Sequence, residues 1–330
     1  MIHRLAKIIP STGFGGHGKD LRVGIGDDAA VLRPSRSSEL VISCDSSLEG
    51  VHFHPGNQPP ESVGFKSLAR AASDLAAMGA IPSYFLLTLA LPKEKTGNWL
   101  NRFAKGMARG AREFKIRLIG GDISRANGVM LSITVLGVVA PGKAVLRSGA
   151  RPGDLICVSG KLGRAQLGLE IILRGLSRSP SLKELVRPHF YPKIRLELGH
   201  WLASHQIASA MMDLSDGLST DLPRLCQASG VGARIFEDKI PRIEIPRQLS
   251  NQKLNPLDLA LHGGEDYELL FTVPPSLAPR LDRTPGAASL KIIGEITSNR
   301  EILLVARDGT SSRLPSLGWD HFRAEKRIRG

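Results

Sequence analysis

A two-domain α/β fold is what the sequence predicts, and three observations carry it. Apolar runs of strand length repeatedly close on an aspartate, as in Leu40-Val41-Ile42-Ser43-Cys44-Asp45, Leu118-Ile119-Gly120-Gly121-Asp122 and Met211-Met212-Asp213. Between them lie longer stretches whose apolar residues recur at helical spacing, such as 61–78 and 99–114. The 330 residues suit two domains of ordinary size, and the pattern breaks at Arg147-Ser148-Gly149-Ala150-Arg151-Pro152-Gly153-Asp154. Domains are therefore expected over 1–148 and 149–330.

The first ten residues carry too short an apolar stretch for a signal peptide. Gly13 to Lys19, GFGGHGK, imitates a phosphate loop, which needs Ser or Thr next and a helix after it. Here Asp20 follows and 21–25 reads as extended, so the stretch is taken as a Gly-rich loop. In Val23-Gly24-Ile25-Gly26-Asp27-Asp28-Ala29-Ala30-Val31-Leu32 two glycines turn the chain and two adjacent carboxylates follow. Residues 39–45 read as a strand. His52 and His54 lie in a loop closed by Pro55, Pro59 and Pro60; packing, substrate and metal roles are all open to them.

Val63, Leu68, Ala72, Leu75 and Ala76 form the stripe of a helix over 61–78, stopped by Gly79 and Pro82. Asp74 falls in its last turn, where the helix dipole disfavours a carboxylate. A strand at 84–91 and a helix at 99–114 follow. Strands at 116–119 and 129–139 are expected to flank a Gly120-Gly121-Asp122 turn. After the break come a strand at 155–159, helices at 163–174 and 193–204, and a strand-turn around Asp213, Ser215 and Asp216. A helix at 217–229, stopped by Gly230, precedes Gly263-Gly264-Glu265-Asp266-Tyr267-Glu268. Strands at 269–273, 292–296 and 302–305 close the chain.

Lys and Arg number 44 against 31 Asp and Glu, a net charge of +13. The basic residues are scattered, only 5% of residues are aromatic, and no nucleic-acid module is present, so phosphorylated small molecules are the expected partners and nucleic acid is not. Three cysteines form no framework, which fits a reducing cytoplasm. No apolar run is long enough for a bilayer. In so basic a chain, carboxylates grouped among apolar and Gly residues have two explanations: turn tips, where Asp and Gly are favoured, or a hard divalent cation. Five such sites read as carboxylates carried to one edge of a sheet.

The motifs GIGDDAAVL (24–32), ISCDSSLEGVHF (42–53), KSLARAASDLAAMGAIP (66–82), LIGGD (118–122), RSGARPGD (147–154), MDLSDGLSTDL (212–222), HGGEDYEL (262–269) and GWDHF (318–322) span nearly the whole chain. By them the sequence resembles the thiamine-monophosphate kinase family, in the superfamily of aminoimidazole ribonucleotide synthetase, selenophosphate synthetase and the hydrogenase-maturation dehydratase. The resemblance implies the two-domain aminoimidazole ribonucleotide synthetase-like fold and a homodimer joined through the N-terminal sheets. It implies transfer of the ATP γ-phosphoryl group to thiamine monophosphate, assisted by several Mg²⁺ ions. Carried over residue by residue, it implies a metal set of Asp28, Ser43, Cys44, Asp45, Asp74, Asp122, Asp213 and Asp216. Gly121, Asp122, Arg147 and Ser215 are implied as ATP contacts, and His52, Glu265 and Trp319 as substrate contacts. Cys44 departs from the Thr common in the family, and a thiol suits a hard ion poorly. Other superfamily chemistry, ring closure or carbamoyl dehydration, is the alternative, as is a non-catalytic nucleotide-binding protein. GWDHF discriminates, because Trp319 offers an aromatic to stack on a thiamine ring.

Overall fold

The computed structural model describes residues 2–10, 20–25, 29–35, 37–54, 56–320 and 322. Asp27, Asp28, the Gly-rich stretch 13–19 and the basic tail from 323 lie outside the described residues. The elements run α1 (Ile2–Ile8), β1 (Leu21–Val23), β2 (Val31–Leu32), β3 (Glu39–Leu48), α2 (Pro60–Ala77), β4 (Ile81–Leu91), α3 (Asn98–Glu113), β5 (Arg117–Arg125) and β6 (Met130–Val139). The second group is β7 (Leu155–Val158), α4 (Arg164–Leu173), α5 (Lys183–Phe190), α6 (Leu196–Ser204), β8 (Ala210–Asp213), α7 (Leu218–Ser229), β9 (Gly232–Phe236), α8 (Pro256–His262), β10 (Leu269–Val273), β11 (Lys291–Thr297), β12 (Ile302–Val305) and β13 (Ser311–Arg313).

Two larger sheets organise these elements, beside the antiparallel pair β1-β2. The first has order β3-β6-β4-β5, with only β4 and β5 parallel. The second has order β13-β12-β9-β11-β7-β10-β8, antiparallel except for β12 beside β9. The two-domain α/β class expected from the pattern of elements is the one observed. One face of the first sheet is covered by α2 and α3, with Phe65, Leu68, Phe103 and Met107 buried against Phe85, Leu87, Ile133 and Val135. The other face leaves Ile42, Leu86 and Met130 exposed.

Three expectations are corrected. Gly120-Gly121-Asp122 is not a turn but the middle of β5. Gly121 has φ +152°, and a Cβ there would stand 1.9 Å from the Leu87 carbonyl oxygen, so glycine serves close strand approach rather than chain reversal. Asp45 does not end its strand, because β3 continues to Leu48 through a ladder with β6. The helix expected over 193–204 begins at Leu196, and the preceding α5 and strand β9 went unread. Pro188 inside α5 and the short, charge-interrupted GARIF of β9 hide their periodicity.

α2 also packs on the second group. A Cβ on Gly199 of α6 would stand 2.0 Å from the carbonyl oxygen of Ala76, so the two helices meet backbone to backbone. Ala76 and Ala77 share a core with Cys157, Leu202, Leu269 and Phe271. Among the described residues no helix is long and apolar enough to cross a membrane.

Candidate active site

One face of α2 supplies the framework. Lys66, Arg70, Ser73 and Asp74 recur at three- and four-residue spacing and therefore project to the same side. At its C-terminal end Asp74 accepts a short hydrogen bond from the Ser43 hydroxyl of β3. One turn lies between Asp74 and Arg70, whose guanidinium is 4.0 Å from an Asp45 carboxylate oxygen. Ser73 donates across the seam to Asp213 at the end of β8, over 2.7 Å. Three carboxylates from three elements thus share one field.

The electrostatics reflect that crowding. Burial, then the neighbouring Asp74, pushes the Asp213 carboxyl up to about 7. Burial and Asp45 likewise raise Asp74, while the Ser43 hydrogen bond and the arginines Arg147 and Arg70 pull it down. A buried carboxylate raised by like charges gains from any cation that offsets them. Hard oxygen donors in this state fit a divalent cation, although among the described residues no three His, Cys, Asp or Glu side chains stand close enough to hold a metal ion as they are placed. Mutual repulsion spreads uncompensated carboxylates, and Asp28 lies outside the described residues.

Strand alternation divides the remaining candidates. Cys44 lies opposite Thr134, Leu86 opposite Thr134, and Thr88 opposite both Ser132 and Asp122. Facing pairs share a side, so Cys44 and Asp122 belong to the outer face, whereas Ser43 and Asp45 belong to the helix-covered face. The carboxylates are not carried to one edge; Asp45 and Asp122 occupy opposite faces. The Cys44 sulfur lies 3.2 Å from the Ser132 hydroxyl and 3.4 Å from that of Thr134, away from Asp74. Asp122 is exposed and accepts from the Ser124 hydroxyl at 2.9 Å. Arg147 is exposed on the connection between the two groups.

The Leu214–Gly217 turn is held by a residue the sequence reading passed over. Asp221 accepts from the backbone N–H groups of Ser215, Asp216 and Gly217 at 2.9–3.1 Å and pairs with Arg224 at 2.9 Å. Burial still pushes its carboxyl up to about 6. The signal was legible as a carboxylate in the first turn of a helix that follows a Gly. Arg224 also reaches Asp216 at 2.5 Å, and the Asp216 carbonyl accepts from the Trp319 backbone N–H at 3.0 Å. Trp319 is 44% exposed beside this turn.

Glu265 packs against the same turn, its N–H donating to the Ser215 carbonyl at 2.8 Å. Glu265 and Tyr267 both have positive φ, of 66° and 50°, an uncommon conformation held by those backbone bonds. The Glu265 carboxylate is 2.6 Å from the Lys66 ammonium and 3.4 Å from His189 Nδ1. Burial opposes its charge, but the Lys66 ammonium outweighs that and holds it down to about 2. Burial and Lys66 lower His189 to about 3, which keeps its ring neutral. Lys66 is therefore a member of the site that sequence alone did not single out; a lysine amid the apolar residues of α2 was the available signal. Asp266 caps α4 by accepting from Gly163 and Ala165 N–H groups at 2.6 and 2.9 Å. His52 Nδ1 accepts from the Leu48 N–H at 3.0 Å. A cleft of about 390 Å³ opens on the far side of Glu265, walled by Arg109, Lys161, Arg164, Tyr191 and Glu268; it shares only Glu265 with the expected contacts.

Fold and site together define an AIR synthase related protein. The N-terminal domain model of that family matches residues 26–139 and its C-terminal domain model 151–306. The chain is 36% identical to thiamine-monophosphate kinase of Synechococcus elongatus, over 90% of this chain and 91% of that one. It is 38% identical to that of Salmonella typhimurium, over 92% and 93%. The chain belongs to the thiamine-monophosphate kinase family. The crystal structure of thiamine-monophosphate kinase from Stenotrophomonas maltophilia superposes with TM-score 0.76 at 36% identity, covering 89% of this chain and 92% of that one. The complex of AaThiL with AMPPCP and TMP gives 0.78 at 32%, covering 88% and 89%. Hydrogenase maturation protein HypE of E. coli shares the fold, with TM-score 0.74 at 22% identity.

Proposed function

We propose that this protein transfers the γ-phosphoryl group of ATP to thiamine monophosphate, giving thiamine diphosphate and ADP. An oxygen of the acceptor phosphate attacks the γ-phosphorus, the bond to the β-phosphate oxygen breaks, and ADP leaves. The observation that carries the proposal is the convergence of Asp45, Asp74 and Asp213 from β3, α2 and β8, with arginines near them. The structural relative solved with AMPPCP and TMP supports the pairing of substrates. Two anions must be brought together, which is a problem of positioning and charge rather than of nucleophile activation.

Mg²⁺ held by Asp28, Ser43, Asp45, Asp74, Asp213 and Asp216 would neutralise both phosphates and supply Lewis-acid assistance; Cys44 and Asp122, on the opposite face of the sheet, stand apart from that set. Gly121 and Asp122 meet the nucleotide from β5, Arg147 from the connection and Ser215 from its turn. His52, Glu265 and Trp319 form the acceptor side, with Lys66 fixing the Glu265 carboxylate. Residues 1–148 and 149–330 act as the two domains, in the cytoplasm. The test is incubation with Mg-ATP and either thiamine monophosphate or free thiamine. Thiamine diphosphate should form from the monophosphate, with no phosphorylation of free thiamine. Faster turnover of free thiamine or of an aminoimidazole ribonucleotide precursor would overturn the assignment.

The protein acts as a homodimer. Support comes from the outer face of the first sheet, where Leu40, Ile42, Leu86 and Met130 are 37–58% exposed in one facing set. An apolar sheet face of this kind is expected to be covered. Ile42→Glu should convert a dimer to a monomer in light scattering while the fold persists in circular dichroism; an unchanged mass would remove this face as the interface.

A further inference from the structure

The cations around the site differ in how much of their bonding capacity is already used. Lys66 is 2.6 Å from Glu265, Arg195 holds Glu268 with two contacts of 2.6 Å, and Arg224 holds Asp216 at 2.5 Å. Arg70 is the exception. Its side chain is only 15% exposed, yet its polar contacts among the described residues are a 3.4 Å approach to the Ser47 hydroxyl and a 4.0 Å approach to Asp45. A guanidinium has five N–H donors in a fixed fork, and contacts of this length use little of them.

Arg70 also lines a recess with Ser47, His52, Gln58, Lys66 and Ser67, and among the described residues no Asp or Glu contributes to its walls. Gln58 is 5% exposed, and its Nε2 has no hydrogen-bond partner among the described residues. A buried donor without a partner is costly and marks a place where something binds. The free volume, about 10 Å³, admits one water-sized group. A phosphate oxygen is such a group, and a recess where Arg70, Lys66 and the Gln58 amide stand beside Phe53 and Val63, with no acid among the described residues, favours an anion. The position is right as well. Arg70 shares the recess with His52 and lies in the field of Asp45 and of Glu265, so it is close both to the carboxylates and to the proposed acceptor side.

We infer that Arg70, with Gln58 beside it, grips the phosphate of the acceptor and sets its distance from the carboxylate group. The inference rests on the kinase activity proposed above and names the residues that read the phosphate of thiamine monophosphate. Arg147 and Arg70 both act on Asp74, and with Arg147 assigned to the nucleotide, Arg70 is the arginine left for the acceptor phosphate. An oxygen in the recess satisfies the orphaned amide, and the guanidinium fork takes a second oxygen in the paired geometry that arginine offers and lysine does not. Arg70 acts here as a positioning residue that touches the substrate.

Titration calorimetry of the full chain in Mg²⁺ with thiamine monophosphate and with free thiamine tests this, using wild type, Arg70→Gln, Arg70→Lys and Gln58→Leu. Loss of a charge-assisted contact should weaken thiamine monophosphate about 30-fold in Arg70→Gln and leave free thiamine within about twofold. Arg70→Lys should fall between, Gln58→Leu should cost about tenfold, and the KM for ATP should stay within about threefold. If Arg70→Gln does not fold, the Lys and Leu variants carry the same comparison. Equal binding of the monophosphate by wild type and variants overturns the inference, as does an equal loss for both ligands, which would mark a structural role. A wild type that binds no thiamine monophosphate overturns the kinase proposal itself, and this inference with it.

Discussion

Asp45→Asn is expected to lower turnover at least about a hundredfold, the scale for removing a key electrostatic group, while leaving the metal-free protein no less stable than wild type. The two effects have one cause. Asp45 raises both Asp74 and Asp213, so its charge opposes folding until a cation arrives. Its own contact with Arg70 spans 4.0 Å and returns little. Neutralisation should therefore hold or raise stability in chelator, by up to about 1 kcal/mol, and reduce the gain on adding Mg²⁺, since a ligand stabilises only the state that binds it. The same repulsion has a pH signature in chelator. Asp213 titrates near 7 in the folded chain against 3.8 in the unfolded one, so the native state holds the extra proton across that interval. Stability should fall as pH rises through it. Thermal melts in chelator and in Mg-ATP, beside one kinase assay, check all of this. Normal turnover in the variant would end the metal-cluster account.

Lys66→Met should destabilise the fold by about 3–5 kcal/mol, the cost of stranding a buried charge. Lys66 is 4% exposed and Glu265 24%, at 2.6 Å. His189, the other neighbour, is kept neutral and supplies no replacement charge. Glu265 cannot move away, because its N–H and that of Tyr267 tie the segment to the Leu214–Ser215 carbonyls. The held-down carboxyl also predicts where acid stability resides. The contribution is complete above about 4.5 and is lost as pH falls toward about 2, so the variant should lose most at neutral pH and converge on wild type in acid. The double variant Lys66→Met/Glu265→Gln should recover part of the loss, since neither charge is then unpaired. Urea unfolding of the three proteins measures this, and a single-variant loss below about 1 kcal/mol would contradict it.

Much of the scaffold was legible because its periodicity is strong. The apolar stripe of α2 announced the helix, and the apolar runs of β4, β6 and β10 announced the strands. Asp74 in the last turn of α2 stood out because it opposes the dipole. What escaped reading depended on facing rather than on type. Ser43, Cys44 and Asp45 look like one motif, yet a period of two sends Cys44 to the opposite side from its neighbours. The glycines before Asp122 imitate a turn, and only the approach of the Leu87 carbonyl explains them as strand residues. Lys66 and Arg70 escaped because a cation in an amphipathic helix is ordinarily solvated, and their neighbours come from other elements: Glu265, 199 residues away, for Lys66, and Asp45 of β3 for Arg70.

The outward turn of Cys44 makes the chain a ready-made single-site labelling target. Of its three thiols, Cys157 and Cys226 are buried, and that burial pushes both up to about 12, leaving them protonated and shielded. Cys44 alone is exposed, in mid-strand among Thr134, Ser132 and the uncovered apolar residues. An alkylating reagent or thiol-reactive dye therefore meets one position on the native fold, with no cysteine to remove first. That position looks out from the sheet face where a second copy would sit, so its accessibility doubles as a gauge of assembly.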